Sequence, residues 1–233
     1  MVSQLIAAVE MPISRARLDA YRNGGSDLDM ISNYLWNMQL SEALYPTLQS
    51  LEIALRNTIH HNARNQFGRD FWFDNPVAFP LKQNESKSLA TAKRKLRNLP
   101  QPWPVGKLVA ELSFGFWTGL LQKPYDVPLW RGSANNYQML RDCFPSAPRH
   151  MYNRDRLYRR YDQIRDLRNR VFHHEPIWNY NDLVQRHDQA LESIQWISPT
   201  LHATVVLLDR FPIVHQLGRQ QIESSLRITF NIP

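Results

Sequence analysis

Residues 168–176 read Arg-Asn-Arg-Val-Phe-His-His-Glu-Pro. Two arginines, an asparagine and two adjacent histidines thus fall in the last turns of an expected helix, and a proline follows. Guanidinium groups hold phosphate through paired, fixed donors and stay charged at physiological pH. Imidazole exchanges protons near neutrality, since its unperturbed pKa lies near 6.5. Those two abilities are the minimum for cleaving a phosphodiester without a metal. Successive helical residues turn by about 100°, so Asn169 neighbours His173 and Arg170 neighbours His174. Arg168 and His173 are five apart and diverge by about 140°. Arg168 therefore reaches round its helix, or serves a site completed by a second subunit. It projects onto the apolar stripe of the helix, where a charge is paired, snorkelling, or facing a cleft or subunit seam. Pro176 disfavours helical geometry at Glu175, so the helix is expected to end near His174, beside the carbonyls that a helix end leaves without partners. The plainer reading of these residues is a C-terminal cap and a solvated face.

A second constellation lies upstream. Glu52, Arg56 and His60 are spaced four apart, and Asn57 and His61 run parallel to them. This is either an i,i+4 ion pair with a nearby histidine on a solvated face, or a set placing Arg56 and Asn57 near the cleft. Metal ligation is not expected: the pairs His60-His61 and His173-His174 point about 100° apart on a helix, and no His-Glu-x-x-His or cysteine cluster occurs. No nucleophile elbow is present, and nothing calls for a cofactor. Cys143, beside Leu140, Phe144 and Pro145, reads as an inert packed thiol.

The elements that must position these groups belong to a chain of 233 residues, 43% hydrophobic and 21% charged, with a formal net charge of +7. That basic balance attracts polyanions, nucleic acid above all. Lys93, Arg94 and Lys95 cluster in one place, and Arg159 and Arg160 lead a second cluster into the motif; these five are the candidate RNA-binding residues. No apolar run reaches membrane-spanning length, which also removes a membrane peptidase from consideration. No secretory signal stands out, and a single cysteine suits a reducing compartment; a cytoplasmic location is the expectation.

The periodicity is helical nearly throughout. It predicts a helix over 12–22 ending at Asn23-Gly24-Gly25, a second capped by Ser26, and a third capped by Ser41 and running to Gly68. A packed aromatic loop is expected over 69–83, helices over 84–99 and 105–122, and a short one near 135–143. Gly115 and Gly119 would let another helix approach closely. The motif helix spans 153–174 and another spans 181–197. Ser198-Pro199 opens a last long helix that Phe211-Pro212 ends. The expected architecture is an all-α bundle forming one domain over 1–233, since no flexible linker divides it.

Arg168-Asn-Arg-Val-Phe-His173 resembles the R-x4-H motif of HEPN-type ribonucleases, and its surroundings resemble the Abi-like (abortive-infection) family within that group. The likeness extends to Tyr34-Leu-Trp-Asn37, Leu51-Glu-Ile-Ala-Leu-Arg-Asn57, Glu111-Leu-Ser-Phe-Gly-Phe-Trp117 and the stretch through Trp178. It implies a HEPN-like bundle with additional helices and packed loops, dimerised so that two motifs share one cleft. It also implies metal-independent RNA cleavage by 2′-hydroxyl attack in anti-phage defence, under the control of an antitoxin or a phage-derived trigger. His173 would transfer protons, Arg168 would clamp phosphate and Asn169 would orient one or the other. Arg170, His174, Arg56, Asn57, Glu52 and His60 would support them. Some HEPN toxins carry a tyrosine two residues after the motif histidine, where a partner modifies them; Glu175 stands there, so that silencing is not expected. The rival expectation is a helical dimer that binds RNA or protein without cutting, as a sensor or regulator.

Overall fold

Apolar residues three and four apart with polar caps, and no apolar-polar alternation, specify helices, and helices are what form. The computed structural model describes residues 2–100, 103–132 and 136–233, and no strand occurs among them. In chain order the helices are α1 (Val2–Ile13), α2 (Arg15–Asp19), α3 (Asp27–Phe67), α4 (Gln83–Leu96), α5 (Val105–Glu111), α6 (Phe114–Gly119), α7 (Gln138–Cys143), α8 (Arg154–Phe172), α9 (Leu183–Ile197), α10 (Pro199–Val206), α11 (Phe211–Leu217) and α12 (Gln220–Thr229). The chain gathers into two compact units. The first comprises residues up to Leu48 with Leu167–Asp188 and Val205–Pro233; the second comprises Gln49–Asp166 and Gln189–Thr204. Their boundaries fall inside helices, not at a linker.

In the first unit, Ile6, Leu18, Tyr21, Leu28, Met30, Ile31, Leu226 and Ile232 form a buried cluster, against which Val9, Tyr34, Leu35 and Trp178 pack. Ser26 starts α3 with a reciprocal cap: its hydroxyl accepts the Asp29 N–H at 3.1 Å, and its own N–H donates to the Asp29 carboxylate at 2.9 Å. The expected restart at Ser41 does not occur. The helix runs unbroken for 41 residues, and the Ser41 hydroxyl is buried without a hydrogen bond. Leu40, Leu44, Leu48, Leu51, Leu55 and Ile59 are each at most 1% exposed, and this continuous stripe outweighs a local capping preference. It also carries the helix through Pro46, which has no N–H to give the Glu42 carbonyl.

The second unit is built around aromatic rings. Trp72 meets Phe73 and Phe79 edge to face, Phe73 meets Phe116, and Phe79 stacks on Tyr125 at 5.5 Å. The aromatic 69–83 segment is therefore a packed loop, as its composition predicts. Gly119 permits one close approach: a Cβ there would lie 2.4 Å from Glu85 Oε1. The buried Glu85 cannot easily give way, because its other oxygen accepts the Tyr125 hydroxyl at 2.8 Å. Gly115 meets nothing closer than 3.6 Å, so the expected pair of approach points reduces to one.

Three further boundaries differ from expectation. The helix over 12–22 is two helices: α1 begins at Val2, and the chain breaks at Ser14, where φ is +77°, before α2. The helix over 105–122 divides at Leu112-Ser113, where the Ser113 hydroxyl accepts the Phe116 N–H at 3.3 Å to start α6. Phe211-Pro212 begins α11 instead of ending its predecessor; proline suits a first turn, whose N–H groups have no helical acceptor. Substituting Gly119→Ala is expected to lower unfolding free energy by about 1–3 kcal/mol through overpacking against Glu85, measured by urea denaturation, with Gly115→Ala near neutral as the control.

Candidate functional site

The motif helix α8 ends in a C-terminal cap built on an unusual residue. His173 N–H bonds the Asn169 carbonyl at 2.8 Å, His174 N–H bonds Val171 at 3.2 Å, and Glu175 N–H reaches back to Arg170 at 2.8 Å. These last two bonds are the 5→2 and 6→1 bonds of a Schellman turn. Such a turn needs a left-handed residue at its corner, and His174 supplies it with φ +58°. Glycine usually fills that place, because a side chain there costs about 1–2 kcal/mol. The side-chain contact that closes the turn is an ion pair, Arg170 to Glu175 at 3.5 Å. The helix end is thus far better satisfied than the sequence suggests: the Arg170 and Val171 carbonyls are bonded, and the His174 carbonyl accepts the Arg17 guanidinium.

Beyond the turn the chain is held by Asn37, on the first part of α3. Its carboxamide oxygen accepts the N–H groups of Ile177 at 2.7 Å and Trp178 at 3.1 Å. Its amide nitrogen donates to the Glu175 carbonyl at 3.4 Å and the Tyr21 hydroxyl at 3.3 Å. Asn37 is 3% exposed, so these bonds are shielded from water. Sequence reasoning placed Asn37 in a family-like segment without a role; the signal was the row Asn33, Asn37 and Ser41, polar groups four apart on a helix with buried leucines.

Arg168 is half-buried, with its guanidinium 4.0 Å from the Phe172 ring centre. Phe172 in turn stacks on Tyr45, with centroids 5.1 Å apart and planes 19° off parallel. Asn169 is half-buried, and Arg170, His173 and His174 are exposed. Two clefts meet at His174 and Ser41. One, of 510 Å³, is lined also by Glu42, Tyr45, Pro46, Phe172 and Arg210. The other, of 400 Å³, is lined also by Arg17, Tyr21, Tyr34, Asn37 and Met38. Tyr45 and Arg17 were not anticipated, since neither lies near the motif in sequence.

The other anticipated residues belong to the second unit. Glu52, Arg56, Asn57 and His60 lie on the latter part of α3, where Arg56 Nε donates to the Asn57 side chain at 3.4 Å. His60 is half-buried and accepts the Trp72 indole N–H at 3.2 Å, and burial lowers its pKa, with Arg64 adding to the effect. Lys93 pairs with Asp74 at 2.6 Å, Lys95 with Glu111 at 3.0 Å and Arg159 with Asp155 at 2.8 Å, while Arg94 is exposed. Arg160 pairs with Glu192 at 2.8 Å and lies over Trp196. Cys143 is buried as expected, and burial pushes its thiol up to about 12. Among the described residues, no group of three or more His, Cys, Asp or Glu gathers at metal-ligand distance, and no helix is long and apolar enough to cross a membrane.

The model of the Abi-like protein family matches the chain over residues 6–179. That span includes Asn37, Tyr45 and the whole motif turn. No curated protein and no solved structure matches. Asn37→Ala would leave two inward-facing N–H groups unpaired and is expected to cost about 2–4 kcal/mol, read from urea unfolding. His174→Gly should leave the fold at least as stable, since glycine adopts the left-handed corner freely, while His174→Val should lose about 1–2 kcal/mol or more. Equal stability of the glycine and valine variants would show that the corner carries no strain.

Proposed function

The chain belongs to the Abi-like family, and on that premise we propose that it is a metal-independent endoribonuclease of the HEPN type, a toxin-like effector of defence against phage. The observation that carries this reading is the placement of Arg168 and His173 at the capped end of α8. Their backbone positions diverge around the helix, yet stacking on Phe172 draws the guanidinium toward the turn where the exposed imidazole stands. A turn with its backbone bonded, holding one half-buried cation and one exposed proton carrier, is suited to phosphodiester chemistry.

In the reaction, the 2′-oxygen of a ribose attacks the adjacent phosphorus and the bond to the 5′-oxygen breaks. The 2′-hydroxyl proton passes to a base, and the leaving oxygen takes a proton from an acid. The products are a 2′,3′-cyclic phosphate and a 5′-hydroxyl. His173 serves as a proton-transfer group, Arg168 offsets the charge that builds on the phosphoryl oxygens, and Asn169 orients them. Arg170 and His174 support the turn. Two proton transfers call for two groups, so the complete site takes one His173 from each of two copies of the chain. RNA and a second copy are then the partners, with an antitoxin or a phage-derived trigger controlling the outcome. The net charge of +7 favours an RNA substrate. The ion pairs of Lys93, Lys95 and Arg159 are no obstacle, because exposed pairs contribute about 0–1 kcal/mol and a phosphate readily replaces the carboxylate.

Purified protein in excess EDTA is expected to cleave RNA and leave 2′,3′-cyclic phosphate ends. His173→Ala and Arg168→Ala should each slow cleavage about 100-fold or more with the helical circular dichroism unchanged. Full activity of His173→Ala would overturn the site, and cleavage lost in EDTA but restored by a divalent ion would overturn the mechanism.

A further inference from the structure

The 510 Å³ cleft beside His174 has a composition that phosphate chemistry alone does not require. Its volume lies within the range of about 300–1,000 Å³ typical of small-molecule sites. Its walls are mostly apolar, from Pro46, Phe172 and Leu208, and its rim carries a charge pair, Arg210 to Glu42 at 3.2 Å, with both side chains about two-thirds exposed. Tyr45 is 46% exposed although Phe172 covers part of its ring. An aromatic ring so exposed, in a cleft within reach of a proton-transfer turn, costs hydration that a stacked partner would recover.

We propose that this cleft is a base-binding subsite, in which one nucleobase of the RNA strand stacks against Tyr45 while the phosphate beside it meets the motif turn. The proposal rests on the ribonuclease reading and names what that site grips apart from phosphate. Three features favour a nucleobase over a fully apolar occupant. The stacking ring belongs to an assembly that already ends in a guanidinium, through Phe172 to Arg168. The rim offers a donor in Arg210 and an acceptor in Glu42, the two kinds of group that read base edges. The cleft also adjoins His174, so a base seated there places its sugar-phosphate at the motif and not on a remote surface. Stacking of a base on an aromatic side chain is tolerant of sequence, so the rim pair, not Tyr45, would set any preference among bases.

A 2′-O-methyl oligonucleotide tests this apart from the chemistry, since it lacks the attacking hydroxyl. Binding is read by fluorescence anisotropy at one fixed salt concentration. Tyr45→Ala is expected to weaken it about tenfold, Tyr45→Phe to retain it, and Gly115→Ala, remote in sequence from cleft and motif, to leave it near the wild-type value. Leu208→Glu, at a position 64% exposed on the cleft wall, provides a second variant that leaves the stack intact, and its added negative charge should weaken binding too. With cleavable RNA, Tyr45→Ala should raise KM more than it lowers kcat. Wild-type affinity in both Tyr45→Ala and Leu208→Glu, or no binding by the wild-type protein, would overturn the subsite. So would loss of self-association by Tyr45→Ala in sedimentation with oligonucleotide affinity unchanged, which would give the cleft to a second copy of the chain. Tyr45-dependent binding without RNA cleavage would uphold the subsite and sink the nuclease.

Discussion

A chain that leaves a helix without entering another regular element carries N–H groups that the interior cannot leave unpaired. Just after α8 those groups belong to Ile177 and Trp178, and the Asn37 carboxamide takes both. The rest of the first unit's functional end depends on that arrangement. With the segment after the turn fixed, the direction of α8's last residues is fixed, and so is the ring of Phe172 that receives Arg168. Arg17 adds a tie from another helix by donating to the His174 carbonyl. A site built this way sits on a turn, yet the turn's backbone is bonded nearly as fully as a helix interior, which suits groups that must be held to within fractions of an ångström.

The adjacent histidines have different tasks. His174 occupies the left-handed corner, and its backbone, more than its ring, closes the cap. His173 still has its N–H bonded to Asn169 as a helical residue, and its ring is exposed. A doubled histidine therefore does not imply a doubled catalytic group. One residue bears strain that glycine would relieve, and strain of this kind persists only where the surroundings over-determine it. Its side chain at the meeting of two clefts gives a reason for tolerating the cost.

The fold class was legible because leucines on α3 and the stripe Leu157, Tyr161 and Ile164 on α8 repeat at helical spacing, a local signal. The motif was legible because its residues are consecutive. Helix boundaries were legible only where the capping residue had no competitor: Ser26 starts α3, but Ser41, the same chemistry fifteen residues on, is overruled by buried leucines on either side. Asn37, Arg17 and Tyr45 were not legible as site residues. Each acts across 120 residues or more of chain, and a hydrogen bond or ring stack at that separation leaves no periodic trace. His60 stood out by its spacing from Arg56, but its hydrogen bond from the Trp72 indole was not legible, because Trp72 lies beyond the end of the helix.

Why arginine and not lysine should stand at 168 follows from the way the side chain is held. A guanidinium laid 4.0 Å over a ring gains cation–π attraction through its face, while its N–H donors lie in its own plane and point sideways. Stacking on a ring and hydrogen bonding from the N–H groups thus use different directions of one group. A lysine ammonium has no such plane; its donors surround a point charge, so turning toward the ring and turning toward a phosphate compete. The Tyr45–Phe172 stack extends the same economy of space, since the ring that steadies the cation also leads into the cleft. Aromatic residues at the end of α8 and along α3 accordingly help to hold the Arg168 guanidinium in place, although they carry no charge themselves.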